Sequence, residues 1–197
     1  MEEEQKPDFW FVLRDMKRPN AHNSGYLSLL EMPELQGDLF IPLKQMLYNH
    51  FGKRIIKQIP LYQDLIFLHR SRPEAEAILK EIPSLQFRYV KGKQATPMTI
   101  PSSSMNDFIT VVQSTNDVIY YNIDEVSEKL YGKRIRIIGG NLHGKEGRLL
   151  SRRGSKVKRL IVELPECNLA ASVSIDPDCI QLLKWISNQQ SVLAAIA

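Results

Sequence analysis

Residues 132–150 read GKRIRIIGGNLHGKEGRLL, and the way this stretch folds decides what the C-terminal part of the chain is. Two folds compete for it. Gly139 to Lys145 satisfies G-x-x-x-x-G-K, the spacing of a loop whose amides cradle phosphates and whose next residue, Ser or Thr, holds magnesium. Glu146 stands where that hydroxyl is needed, and a carboxylate there repels phosphate. The following residues, GRLLSRR, alternate as a strand does and open no helix whose dipole would favour an anion. The phosphate loop therefore gives way to two short strands, 134–138 and 146–150, joined by a glycine-bearing turn. In that fold Gly139, Gly140, Gly144 and Gly147 supply the positive-φ or close-approach positions that a bend in a small barrel requires. Leu142 is then an apolar side chain at a loop tip.

Outward from the turn, KVKRLIVEL at 156–164 and AASVSI at 170–175 read as further strands, and Asp176-Pro177-Asp178 turns the chain before 179–183. Five short strands within 130–184 predict a small barrel. The tail, 185–197, carries Ile186, Val192, Leu193 and Ile196 at roughly helical spacing, which fits a frayed end or a short packing helix equally. Upstream, STNDVIYYNIDEVSEK at 114–129 loses helical periodicity, and a linker is placed at 119–129.

The part before the linker, 8–118, reads as a domain of its own behind an acidic leader at 1–7. DFWFVLR at 8–14 is a dense run of strand formers and the first core strand. Ser24 is placed to cap a short helix running to about Glu34. Ile55 to Ile59 and Leu61 to Leu68 read as paired strands, with Pro60 at an edge or bulge. Arg72 to Pro83 is a helix with Pro73 at its first position and Ala75, Ile78, Leu79 and Ile82 as its apolar stripe. A strand follows at 85–90, then a helix opening at Pro101-Ser102 with Met105, Phe108, Ile109 and Val112 on one buried face. The order β, α, β, β, α, β, α predicts an α+β fold, an antiparallel sheet with helices on one face.

Composition narrows the function classes. The chain has 197 residues, 43% hydrophobic, enough for one or two ordinary cores. MEEEQKPDFW lacks the basic and apolar regions of a signal peptide and no window approaches eighteen apolar residues, so a cytoplasmic chain without membrane association is expected. Cys167 and Cys179 have no second ligand at metal spacing and read as free thiols. The four histidines are scattered without partners in sequence. No nucleophile elbow or supported carboxylate pair is present, so neither catalysis, cofactor nor metal is expected.

Charge is uneven. Residues 128–184 hold 12 Lys and Arg against 6 Asp and Glu, while the remainder holds 14 against 16. Between Lys133 and Arg159 there are 10 basic residues and one acid, Glu146. Such a surface suits a polyanion, an acidic protein face, or water alone. Arg152, Arg153, Lys156, Lys158 and Arg159 are the candidate nucleic-acid contacts within it.

Ile135, Ile137, Gly140, Leu142, Gly144, Gly147 and Leu149 resemble a KOW motif, the strand, glycine loop and strand of small SH3-like barrels. In the first domain DFWFVLR, FIPLKQ, GKRIIKQIPLYQDLIF and IPSLQFRYVKGKQATPM resemble, in order, motifs of the N-terminal domain of NusG-like transcription elongation and antitermination factors. Together the resemblance covers about residues 8–184, and it looks closest to the specialised RfaH-like and UpxY-like members. It implies a monomer that binds RNA polymerase with its first domain, near nucleic acid, and recruits a factor such as Rho or a ribosomal protein with its KOW barrel. Matching motif positions place Tyr62, Leu65 and Phe67 on the polymerase-facing patch, against the alternative of ordinary sheet core. Lys53, Arg54 and Lys57, on the basic hairpin, become candidates for phosphate contact, against a charged edge that discourages aggregation. The KOW loop, with Gly140, Leu142, Gly144 and Gly147, becomes the recruiting surface, or Leu142 packs on Trp185 or the tail. Gln63 and Asp64 replace the family's common Pro-Gly, and Glu74 to Glu76 is acidic where RfaH-like members contact DNA. A second reading remains: an RNA- or ribosome-binding KOW protein without polymerase binding.

Overall fold

A computed structural model describes residues 7–19, 21–50, 52–125, 131–150 and 157–183. It is a mixed α+β structure of two compact units, Met1–Ile109 with Leu164–Cys167, and Thr110–Glu163 with Asn168–Ala197. The division falls within a helix, upstream of the polar stretch in which the linker is expected.

The first unit is built on an antiparallel sheet of β1 (Phe9–Asp15), β2 (Leu39–Phe40), β5 (Ile66–Leu68), β6 (Leu85–Phe87) and β7 (Thr99–Pro101). β1 is central, as its dense apolar run predicts: β5 lies along one edge, and β7 and β6 share the other in succession. Trp10, Phe11, Val12 and Leu13 are all buried, so both faces of this strand need cover. One face gathers Phe11, Leu13, Ile66, Leu68, Leu85 and Phe87 under α1 (Gly25–Leu30) and α2 (Arg72–Glu81). The other carries Trp10, Val12, Phe67 and Ile100, and there Phe40 packs on both Phe67 and Phe108 of α3 (Ser102–Gln113). Helices thus cover two faces of the sheet, where one was expected. The cause is a strand pair apolar on both sides, which alternation rules read as single-sided.

Helix α1 ends at Leu30, earlier than expected, and a 3₁₀ turn over Pro33–Leu35 follows, as Pro33 cannot donate to a continuing helix. Ser24 does not cap it with its side chain; its hydroxyl donates to the carbonyls of Arg18 and Ala21, both at 2.8 Å. The cap is Asp15, a buried carboxylate at the end of β1, which accepts from the Tyr26 amide at 3.2 Å and the Lys17 amide at 3.0 Å. Helix α2 is capped by Ser71, which the sequence reading did not single out: Ser71 N–H donates to Glu74 at 2.8 Å, and hydrogen bonding from Ser71 holds the Glu74 carboxyl below its usual range.

β3 (Leu43–His50) and β4 (Lys53–Pro60) form a separate two-stranded hairpin in continuous register from Leu43↔Pro60 to His50↔Lys53. The expected pairing of 55–59 with 61–68 is therefore incorrect. LKQMLYNH, whose polar residues hide its strand character, is the true partner of β4, and β5 joins β1 and β2 instead.

In the second unit β8 (Ile119–Asn122), β9 (Tyr131–Ile137), β10 (Glu146–Leu150), β11 (Lys158–Leu164), β12 (Leu169–Ile175) and β13 (Ile180–Leu182) form one sheet. Its order is β13-β9-β10-β11-β12-β8. β8 and β13 stand at opposite ends, so the expected closed barrel is an open sheet among the described residues. The start of the expected linker is the sixth strand. Tyr121 pairs with Ala170 and packs against Ile161, which gives this polar-flanked segment an apolar reason to join the sheet.

Candidate functional site

The glycine turn is closed by its own hydrogen bonds. Gly144 N–H donates to the Ile137 carbonyl at 2.8 Å, Lys145 N–H to Leu142 at 3.0 Å and Gly139 N–H to His143 Nδ1 at 2.8 Å. Gly139, Gly140 and Gly144 have φ of +89°, +66° and +81°, where a side chain is strained. Gly147 is needed for space, since a Cβ there would lie 2.3 Å from the Ile161 carbonyl oxygen. Lys145 leads straight into β10 and not into a helix, so this loop lacks the frame of a phosphate site.

Leu142 is only 9% exposed. The residue expected at an exposed, recruiting loop tip is therefore largely buried. Trp185, its other expected neighbour, lies outside the described residues, as do Arg152, Arg153 and Lys156.

Arg159 is also not a free cation. Its guanidinium donates to Ser172 Oγ at 2.9 Å, the Ser172 carbonyl at 2.8 Å, Ser174 Oγ at 3.0 Å, Asp117 Oδ2 at 2.9 Å and the Asp117 carbonyl at 2.5 Å. Every donor direction is spent inside the unit, so Arg159 ties β11 to β12 and to the segment before β8. Burial raises the Asp117 carboxyl, but hydrogen bonds from Ser174, Thr115 and Arg159 outweigh it and hold the group at about 2. Lys158, which precedes Arg159 on β11, is half-buried.

In the first unit Leu65 and Phe67 are 3% and 0% exposed, so the two residues expected on a polymerase-facing patch are core. Phe67 lies across the sheet from Ile66 and Leu68, and α3 covers its face. Tyr62 is half-buried and remains partly accessible.

The hairpin β3–β4 is where accessible side chains collect. Lys53, Arg54 and Lys57 are exposed, and the Lys57 ammonium sits 5.7 Å from the Tyr48 ring centre. Residues 43–60 contain four Lys and Arg and no acid. Leu47 and Ile56 are directly opposite in register and 60% and 67% exposed, an apolar pair left in water. Sequence reading missed this pair because it did not pair the two segments; the signal was Gly52 between two runs of strand length.

No group of His, Cys, Asp and Glu with metal-site geometry occurs among the described residues, and no described helix is long and apolar enough to cross a membrane.

No protein-family model matches the sequence, and no curated protein matches it. Among solved structures, one of NusG from Thermotoga maritima, concerned with its domain interaction, is similar with a TM-score of 0.41 at 12% identity, covering 89% of this chain and 97% of that one.

Proposed function

We propose that this chain is a transcription elongation or antitermination regulator of the NusG type, in its specialised RfaH-like or UpxY-like form. Its first unit binds RNA polymerase, its second, KOW-like unit recruits a further factor, and it acts in the cytoplasm by binding alone, without catalysis. The ordered motifs of the first 110 or so residues support the class. The observation that carries the contact is the hairpin: Leu47 and Ile56 exposed as a cross-strand pair on a ribbon with four cations and no acid. An exposed aliphatic pair asks for a protein surface, and the cations beside it ask for phosphates or carboxylates. A polymerase holding nucleic acid offers both side by side.

On this reading Tyr62 and the hairpin replace Leu65 and Phe67 as the contact. Lys53, Arg54 and Lys57 reach phosphates at its border. Immobilised RNA polymerase should retain the full chain, and Leu47→Asp with Ile56→Asp should weaken retention at least about tenfold, the scale of a central interface anchor. Failure of the wild-type chain to be retained removes the reading.

A further inference from the structure

We infer that the ribbon β3–β4 is two-sided: opposite the Leu47–Ile56 pair, Lys44, Lys53 and Lys57 form a separate face that holds the phosphodiester backbone of a nucleic acid while the first face holds protein. This deepens the function proposed above and rests on it for the protein face alone.

The register sorts the side chains. Pairing runs from Leu43↔Pro60 to His50↔Lys53 without a slip, and successive residues of a strand point to opposite faces. One face therefore carries Gln45, Leu47 and Asn49 with Arg54, Ile56 and Gln58. The other carries Lys44, Met46 and Tyr48 with Lys53, Ile55 and Lys57. All three lysines of the ribbon fall on this second face. In sequence Lys53, Arg54 and Lys57 look like one cluster, yet Arg54 stands opposite Asn49 at the border of the apolar pair, and Lys44 joins the two lysines.

The two faces differ in what they leave open. Leu47 and Ile56, 60% and 67% exposed, are framed by amides and one guanidinium, the layout of an apolar anchor within a polar rim. Across the ribbon Tyr48 lies opposite Ile55, and both are half-buried. The Lys57 ammonium lies 5.7 Å from the Tyr48 ring centre, and the Tyr48 hydroxyl lies 3.9 Å from Met46 Sδ. Met46, the most open apolar residue on this side, is 38% exposed. What this face presents is charge: Lys44, Lys53 and Lys57 are all exposed, and residues 43–60 supply no carboxylate to offset them.

Residue type and spacing choose the ligand. An ammonium is a compact point charge with rotatable donors, suited to phosphates and indifferent to base identity. Lys44 and Lys57 are diagonal neighbours across the ribbon, roughly 7 Å apart. Lys53 lies four residues from Lys57 along the strand, about 13 Å on. The three charges thus run along the length of the ribbon, a line that an extended polyanion follows and that one small anion does not span. A protein surface on the Leu47 face leaves this line uncovered, since the two faces point apart.

The test uses the full chain and two probes: immobilised RNA polymerase free of nucleic acid, and a labelled oligonucleotide, single-stranded in one arm and duplex in the other, titrated over a range of salt. Binding is expected in at least one oligonucleotide arm, and the arm that binds assigns the strandedness. Lys44→Gln, Lys53→Gln and Lys57→Gln together should weaken it about tenfold or more and flatten the slope of log affinity against log salt by roughly 2 for a single strand or about 2.7 for a duplex, the values for three lost phosphate contacts. Retention of this variant on polymerase should stay within about twofold of wild type, which no misfolded variant would achieve. Lys44→Arg, Lys53→Arg and Lys57→Arg together should keep oligonucleotide binding. Leu47→Thr with Ile56→Thr, which leaves the charge unchanged, should do the reverse of the glutamine variant, losing polymerase and keeping the oligonucleotide. Wild-type affinity and slope in the glutamine variant overturn the phosphate face, as does binding in neither arm at low salt. Loss of both ligands in equal measure by the glutamine and threonine variants overturns the two-sided ribbon. A wild-type chain that polymerase does not retain, but whose oligonucleotide binding still depends on the three lysines, removes the function proposed above and leaves the phosphate face standing.

Discussion

The molecule contains two basic hairpins that turn on glycine, and they are built on opposite terms. In β9–β10 both outer edges are paired, to β13 and to β11, and Ile135, Ile137 and Leu142 are interior. In β3–β4 neither outer edge is paired among the described residues, and Leu47 and Ile56 lie in solvent. An isolated two-stranded ribbon is marginal in water, so the second hairpin carries an apolar pair that does not serve its own unit's core. Edge pairing does not by itself decide which cations are accessible: Arg159 of β11 is consumed by its neighbours, while Arg134 and Arg136 stay exposed on the paired hairpin and Lys53 and Arg54 face water on the open ribbon.

The turns separate the two hairpins most sharply. At Gly147 an added Cβ would lie 2.3 Å from the Ile161 carbonyl oxygen and 2.7 Å from Leu160 Cδ1, while at Gly52 it would meet nothing within 4 Å. Gly147→Ala should therefore cost about 3 kcal/mol or more, because backbone must move across two strands. Gly52→Ala, at φ +77°, should cost only about 1 kcal/mol of left-handed strain. Denaturant midpoints of the two variants measure the contrast. Equal losses would show that β10 does not approach β11 as closely as described.

A smaller effect tests the closed network. Asp117 is held at about 2, below its ordinary 3.8, so the ionised form contributes stability that is complete above the ordinary value. That contribution is lost as pH falls from about 4 through 2. With 43% of its side chain exposed, screening reduces the effect to about 1 kcal/mol. Thermal unfolding followed between pH 5 and roughly 2 should show a loss in the wild type that Asp117→Asn lacks, and Asp117→Asn should start out less stable at pH 7. Parallel pH profiles for the two proteins would remove Asp117 from the network.

What could be read in advance followed locality. DFWFVLR and the apolar stripe of α2 declare themselves because strand formers and helical periodicity act on their own neighbours. So do Gly139, Gly140 and Gly144, because positive φ is a local demand. Period-two alternation separates Phe67 from Ile66 and Leu68, yet it says only which residues share a face. Whether that face is covered depends on Phe108, forty-one positions away by numbering, and α3 covers it. Leu142 looked exposed because a loop tip usually is, but it is only 9% exposed in a turn closed by backbone bonds and one bond to the His143 side chain. Asp15 replaced Ser24 as the helix cap by reaching eleven positions along the chain. Lys53, Arg54 and Lys57 were legible in advance while Leu47 and Ile56 were not, since the accessibility of an apolar residue is set by what packs nearby and not by its type.

The smallest effect expected is also the one that isolates the open ribbon. If Leu47 and Ile56 are left in solvent, replacing them by polar residues of β-branched shape removes little buried area. Leu47→Thr with Ile56→Thr should change stability by no more than about 0.5 kcal/mol, since surface positions rarely exceed this and threonine keeps strand propensity. Ile135→Thr in the paired hairpin, by contrast, places a hydroxyl at a fully buried site and should cost about 2–3 kcal/mol. Urea denaturation of both variants measures the pair of values. A loss above about 2 kcal/mol for the Leu47 and Ile56 variant would mean that the pair supports the fold of the first unit. Its exposure would then no longer point to a partner, and the hairpin would revert to a structural ribbon whose only accessible chemistry is its cations.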